Sequence, residues 1–323
     1  MEKIAKEIRE ILDKYELTKD LLDFITESNI EIVDKKEPTK NLTDSNIETF
    51  NKNEYIKIKG EFWNKLFENI SPALQGEKIL YHYKGLNFAK DILKNNSIQI
   101  SNLTSNEYND YAECSEYLKK IEAYHPLVNN EILDDSRNNL LILCFTEKQS
   151  DFMWKNYGDK GVCFKIKISM SQQNTNETYP MFRKVYYDSG NKFDFISELN
   201  YFLYKNYRLR LTDGFTTRHA LFFKREKYQE EGEWRLAFNC IQDYISFFGS
   251  SIDCSFNSIN TKYFQNMQTG ENGRKYSTLE FGKNYPLFTM NIEEVIVNDK
   301  VSQKDFEELK RLAGNIKVVY KDR

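Results

Sequence analysis

The run Glu231-Gly232-Glu233-Trp234-Arg235, with Lys224 shortly upstream, brings two carboxylates, a guanidinium and an ammonium together at the edge of one segment. From Glu233 the chain alternates Glu233, Arg235, Ala237 and Asn239 against Trp234, Leu236, Phe238 and Cys240. A strand with this parity sends the second set into a core and turns the charged set outward, toward a cleft or solvent. If the strand reaches back past Gly232, Glu231 and Glu233 share a face. Close like charges raise one pKa, which suits a general base, while the other carboxylate stays ionised and can stabilise positive charge. The competing reading is a surface pair neutralised by Lys224, Lys227 or Arg235, worth about 0–1 kcal/mol.

Other residues with chemical potential lie earlier in the chain. His82 stands between Tyr81 and Tyr83 in a strand-like run, where it is either a satisfied histidine near a strand end or a ring nitrogen for a ligand hydroxyl. Ser101, Tyr108, Asn109 and Asp110 lie at the end of the next strand and on the loop after it, where binding groups collect, although Asn-Asp is also an ordinary turn dipeptide. Met153, Trp154 and Tyr157 follow helical spacing, which serves core packing or an aromatic platform for a ring. Glu147 closes a buried strand, and strand ends line clefts in open sheets.

The elements that must position these groups are legible in outline. Ile4, Ile8, Ile11, Leu12 and Tyr15, then Leu17, Leu21, Leu22 and Ile25, predict a helical N-terminal region. A polar stretch from Asp34 to Asn53 reads as a linker, and Phe62, Trp63, Leu66 and Phe67 as a further short helix. The division therefore falls near residue 75, giving a helical extension over 1–75 and an α+β domain over 76–323. In that domain strands are predicted at Ile79–Tyr83, Ser97–Ser101, Leu140–Phe145, Val162–Ile168, Met181–Tyr187, from Glu233, at Glu294–Val297 and at Ile316–Tyr320. Helices are predicted at Leu86–Leu93, Cys114–Tyr124, Met153–Tyr157, Phe193–Leu211, Leu221–Glu230 and Gln303–Leu312, the last with Gly314 as its C-cap. Residues 250–283 carry no assignable pattern. The sum is an α+β protein in which short helices cover a mixed sheet.

Composition narrows the function classes. The chain has 323 residues, 15% aromatic and 29% charged, with a formal net charge of -3, which suits a globular core under a wet surface. The near-neutral total leaves nucleic-acid binding without support beyond a local patch. The five cysteines, Cys114, Cys144, Cys163, Cys240 and Cys254, contain no C-x-x-C pair and read as reduced core thiols. No phosphate-loop, G-x-G-x-x-G, H-E-x-x-H or G-x-S-x-G motif occurs. His82, His125 and His219 lack ligand spacing, so no histidine-based metal site is expected. No run approaches the ~20 apolar residues of a membrane span, and no signal-type segment opens the chain, so a cytoplasmic location is expected.

Read together, Tyr81-His82-Tyr83, Asn109-Asp110, Cys144-Phe145-Thr146-Glu147, Met153-Trp154-x-x-Tyr157, Gly161-Val162-Cys163-Phe164, Lys224 with Tyr228, and Glu231-x-Glu233-Trp234-Arg235 resemble the bacterial domain of unknown function 2971 family. The resemblance runs from about Lys78 to the end. Tyr111 departs from the family's usual proline and Tyr228 from its common tryptophan. A second resemblance, of an early strand-borne histidine, a central serine or tyrosine and a late E-x-E, is to ADP-ribosyltransferases. It departs in lacking the first-strand arginine and Ser-Thr-Ser triplet of the arginine-specific enzymes. It implies a split-sheet fold and cleavage of NAD at the nicotinamide glycosidic bond. By that resemblance His82, Tyr83 and Ser101 would bind NAD, Tyr108 or Tyr157 would pack the nicotinamide, and Lys224 or Arg235 would meet the pyrophosphate. Glu233 would be catalytic, and Glu231 would assist an unknown acceptor.

Three functions follow as expectations. The first is an NAD-dependent ADP-ribosyltransferase or NAD glycohydrolase, acting as a toxin or phage-defence effector. The second is a metal-dependent nuclease-like hydrolase built on Asp110, Glu147, Glu231, Glu233 and Lys224. The third is a non-catalytic binding module whose residues 1–75 dock a protein partner.

Overall fold

The computed structural model describes residues 1–15, 17–34, 54–58, 60–102, 140–171, 181–188, 194–211, 222–239, 268–269 and 275–321. The N-terminal region contains α1 (Glu2–Asp13), α2 (Lys19–Phe24), β1 (Ile30–Asp34), β2 (Glu54–Ile58) and α3 (Gly60–Ile70). Then come β3 (Glu77–Gly85), α4 (Leu86–Asn95), β4 (Ser97–Asn102), β5 (Leu140–Thr146), α5 (Asp151–Tyr157), β6 (Gly161–Met170), β7 (Met181–Lys184) and β8 (Tyr186–Asp188). The remainder is α6 (Asp194–Tyr207), β9 (Arg210–Leu211), β10 (Phe223–Arg225), β11 (Glu233–Asn239), β12 (Gln268–Thr269), β13 (Lys275–Glu280), β14 (Phe288–Val297), α7 (Gln303–Ala313) and β15 (Lys317–Tyr320).

The main sheet is mixed and runs β12-β13-β4-β5-β3-β6-β14-β15, with β11 on β5 and β7 on β11. β11 pairs along the whole of β5. β4 meets β5 at Leu141 and Ile142, and β3 meets it at Thr146, so these two strands divide the length of β5 between them. Residues opposite one another in register share a face. Tyr81, Thr146 and Glu233 are therefore on one face, with Cys144, Arg235 and Arg183. The other face carries Leu80, Phe145, Trp234, Phe182 and Phe164, all in one apolar cluster.

Helices α4 and α7 cover that second face through Ala89, Ile92, Leu93, Leu309 and Ala313. Lys90 fastens them, reaching Asp305 at 2.8 Å and Glu308 at 2.5 Å. α7 starts where Ser302 accepts a hydrogen bond from the Asp305 N–H, and ends with Lys310 and Arg311 beside its negative pole. The first face has two covers. Ile4, Ile8, Ile11 and Leu12 of α1, Phe62, Leu66 and Phe67 of α3, and Phe195, Leu199 and Leu203 of α6 pack with Ile142, Met181 and Ala237 of the sheet. α5 sets Met153 and Trp154 against Tyr83, Cys163 and Ile296. Each fully buried large apolar side chain contributes on the order of 1.5–3 kcal/mol.

Several expected elements differ. Leu221–Glu230, read as a helix, is the short strand β10 followed by a 3-10 helix over Glu226–Glu231; pairing of Phe223, Lys224 and Arg225 with β8 overrides the helical spacing. The strand at Met181–Tyr187 is two strands interrupted at Val185, and the helix from Phe193 ends at Tyr207, before β9. The β1–β2 pair flanks the stretch read as a linker, most of which lies outside the described residues, as does the helix expected over Cys114–Tyr124.

Candidate functional site

Gly232 has φ +51° and ends the 3-10 helix in the left-handed region, a conformation that costs a residue with a Cβ about 1 kcal/mol or more. The strand therefore does not reach back to Glu231. The two carboxylates still converge, because the turn swings Glu231 back toward Lys224 at the centre of β10. Lys224 Nζ forms ion pairs with the Glu231 carboxylate and, at 2.9 Å, with Glu233 Oε2. Arg235 grips Glu233 with two N–H groups, Nε to Oε1 at 2.8 Å and Nη2 to Oε2 at 3.1 Å.

These side chains were expected to look outward, and they do not. All four are buried, Arg235 to 1% exposure. Single residues of this kind are expensive to bury, and the cost is offset only because two anions meet two cations with directed hydrogen bonds. Surrounding groups complete the network. The Thr146 hydroxyl donates to the Glu231 carbonyl at 2.6 Å, and the Glu233 N–H donates to the Tyr187 hydroxyl oxygen at 2.7 Å. Tyr157 donates to Glu231 Oε1 at 2.8 Å. Its residue is 41% exposed, so it connects the buried pair to the surface. Sequence reading missed Tyr187, which only the β8–β10 pairing opposite Lys224 brings in.

The two glutamates have opposite proton affinities. Burial raises the Glu231 pKa, and the neighbouring Glu233 charge adds to this against the pull of Lys224 and Tyr157. Burial works the same way on Glu233, but Arg235 and Lys224 outweigh it and hold that carboxyl far below the usual carboxylate range. Glu233, depressed from 4.5, contributes stability above that value and loses it as pH falls further. Glu231, raised from 4.5, penalises the fold above its raised pKa, and protonation relieves the penalty. The expected urea midpoint therefore rises as pH falls from neutrality toward the titration of Glu231, then declines below about pH 4.5. Glu231→Gln should abolish the rise and keep the decline; a midpoint flat across both ranges would contradict this assignment.

The other candidates are dispersed. His82 neighbours Tyr81 in β3 and so turns to the opposite sheet face from Glu233, where its ring lies 5.7 Å from Phe145. Its Nδ1 is 2.7 Å from the Cys144 carbonyl and donates to it, which leaves Nε2 as a buried acceptor without a partner among the described residues. Burial first, then Lys84, lowers its pKa to about 3, so the ring is neutral. Tyr83 is buried edge-on against Trp154, with ring centroids 5.0 Å apart. Ser101 is buried opposite Ile142 on β5, four positions or ~13 Å along the strand from Thr146. Tyr108, Asn109 and Asp110 lie outside the described residues.

Glu147 bonds to Lys78 and Lys184, each at 2.8 Å, and Lys78 lies over the Trp234 ring at 4.7 Å. It thus belongs with Trp234 on the face away from Glu233. Among the described residues no group of three or more His, Cys, Asp or Glu side chains is placed to hold a metal ion. No helix there is long and apolar enough to cross a membrane. Cys144 and Cys163 are free thiols, both with pKa pushed up by burial.

No curated protein and no solved structure matches the chain significantly. A family model matches residues 153–236, the span from α5 to the middle of β11. It contains Tyr157, Tyr187, Lys224, Glu231, Glu233 and Arg235, and excludes His82 and Ser101. This stretch, which holds the whole buried ion-pair network, is similar to the family described as protein of unknown function (DUF2971).

Proposed function

We propose that the chain is an enzyme that breaks the bond between ribose and a nitrogen base, with NAD as the substrate and water or an acceptor hydroxyl as the nucleophile. The observation that supports this is the Glu231–Glu233 pair on one lysine, with Glu233 fixed as an anion and the proton affinity of Glu231 raised by burial, which suits a carboxylate that accepts a proton. As the C1′–N bond breaks, its electron pair leaves with the base and positive charge develops on the ribosyl carbon. Glu233 sets a permanent negative charge beside that centre. Glu231 takes the proton that the nucleophile gives up as the new C1′–O bond forms. Tyr157 offers an exposed ring against which a base can pack, and a substrate reaches Glu231 by displacing the Tyr157 hydroxyl.

The fit to NAD is at the glycosidic end. Glu231, Glu233 and Tyr157 suit it, whereas His82 faces across the sheet and takes no part. Lys224 and Arg235 are engaged with the carboxylates and hold them in place instead of meeting a pyrophosphate.

The experiment incubates the purified chain with NAD, with and without cell extract as a source of acceptor, and measures free nicotinamide. Release is expected, and Glu231→Gln should slow it by about a hundredfold or more, the usual worth of a positioned acid–base group. Circular dichroism checks that the variant is folded. Intact NAD under both conditions, or release at an unchanged rate by the folded variant, would overturn the proposal.

A further inference from the structure

Helix α6 turns Phe195, Leu199 and Leu203 into the core, and its opposite side carries Tyr201, Tyr204 and Lys205, with Arg208 just past its end. Spacing of i, i+3, i+4 and i+7 puts these four side chains in one stripe. All four are exposed, and the two rings keep 57% and 40% of their surface in solvent. Singly exposed apolar residues are ordinary, but here each ring carries a cation. Lys205 Nζ lies 5.6 Å from the Tyr201 ring centroid, and the Arg208 guanidinium lies 5.3 Å from that of Tyr204.

The stripe is positively charged and held in place. From Leu199 to Thr212 the chain has no Asp or Glu but contains Lys205, Arg208 and Arg210. The last carboxylate before it, Glu198, is taken up by Lys14 at 2.6 Å and Tyr15 at 2.7 Å, and Glu7 of α1 accepts a hydrogen bond from Tyr207. Among the described residues neither Lys205 nor Arg208 meets a carboxylate. Arg208 has φ +57°, a left-handed position after a helix that glycine or asparagine usually takes. Its N–H donates to the Tyr204 carbonyl at 3.1 Å, and Leu209 beside it is buried, so the backbone that presents the guanidinium is fixed on both sides.

Exposed rings interleaved with cations complement a chain that alternates flat bases with phosphates. From Tyr201 to Arg208 is about 10 Å along the helix axis, the length of about three stacked nucleotides. A lipid surface calls for larger apolar side chains that insert between acyl chains, and none stands among these four. We infer that this stripe binds single-stranded nucleic acid, bases stacking on Tyr201 and Tyr204 and the adjoining phosphates held by Lys205 and Arg208.

The probe is a short fluorescein-labelled oligothymidylate, titrated with the full chain and followed by fluorescence anisotropy across salt concentrations. Saturable binding is expected, and the duplex with oligoadenylate, whose base faces are hidden, should bind more weakly. Tyr201→Ala should weaken binding about fivefold or more, the usual worth of a stacked base, and Tyr201→Phe should restore it. Arg208→Asn keeps a residue that tolerates the left-handed turn, and should lower the slope of log affinity against log salt by about 0.7, one phosphate contact. Circular dichroism checks that each variant is folded. Absence of binding, equal binding of the duplex, unchanged affinity in Tyr201→Ala, or an unchanged salt slope in Arg208→Asn would each overturn the inference, as would competition by phosphatidylserine vesicles equal to that of unlabelled oligonucleotide. The stripe and its test are independent of the chemistry proposed at Glu231.

Discussion

Replacing Lys224 by methionine is expected to destabilise the fold by about 3–5 kcal/mol at neutral pH, the scale seen when one partner of a buried ion pair is removed. The two glutamates do not share this loss equally. Glu233 keeps both hydrogen bonds from Arg235. Glu231 retains its hydrogen bond from Tyr157 and becomes a buried anion next to another anion. It will take up a proton, so the loss should shrink as pH falls. Urea denaturation across pH measures this, and Glu231→Gln in the Lys224→Met background should recover a substantial part of the neutral-pH loss. A loss under about 1 kcal/mol would mean the ammonium is no more than a surface partner.

Gly161→Ala is expected to cost about 3 kcal/mol, at the upper end for overpacking, while Gly85→Ala costs less than about 1 kcal/mol. These glycines face one another in the β3–β6 register. A Cβ at Gly161 would stand 2.3 Å from the Lys84 carbonyl oxygen and 3.1 Å from Gly85 Cα, whereas one at Gly85 meets nothing within 4 Å. The obstruction at Gly161 is backbone, so no rotamer relieves it. The Gly161 carbonyl also accepts from the Asn298 N–H at 3.0 Å, so displacement of this strand end disturbs β14 as well. Thermal melts of the two variants make the comparison, and equal melting temperatures would contradict it. This contact also gives a physical reason for the glycine that opens the Gly161-Val162-Cys163-Phe164 block.

Much of the scaffold is written in local pattern. The α1 stripe, the continuous apolar run of β5, the parity that buries Trp234 and the capped α7 each depend on residues close in sequence, and each is where the spacing puts it. β10 is different, because Phe222, Phe223 and Tyr228 fit a helix until β8 supplies a partner. The candidate site divides along the same line. The concentration of charge at 231–235 is local and visible. That it is buried depends on Tyr187, Thr146 and Cys144 arriving from elsewhere, and that Glu231 rejoins Glu233 depends on the left-handed turn at Gly232. The separation of His82 from Glu233 is set by a register passing from β3 through β5 to β11, which no local pattern encodes.

The joint packing of α1, α3 and α6 on Ile142, Met181 and Ala237 has a consequence for synthesis. The first helix leaves the ribosome with its apolar stripe complete, but the sheet surface it covers ends at residue 237. At ~5–20 residues per second that interval is on the order of 10–45 s. During it Ile4, Ile8, Ile11 and Leu12 can pack against the other N-terminal members of their cluster, Phe62, Leu66 and Phe67 of α3 and Ile30 and Ile58 of the β1–β2 pair, but not against the sheet. Until β11 emerges the stripe lacks its sheet cover, and slow translation lengthens that interval.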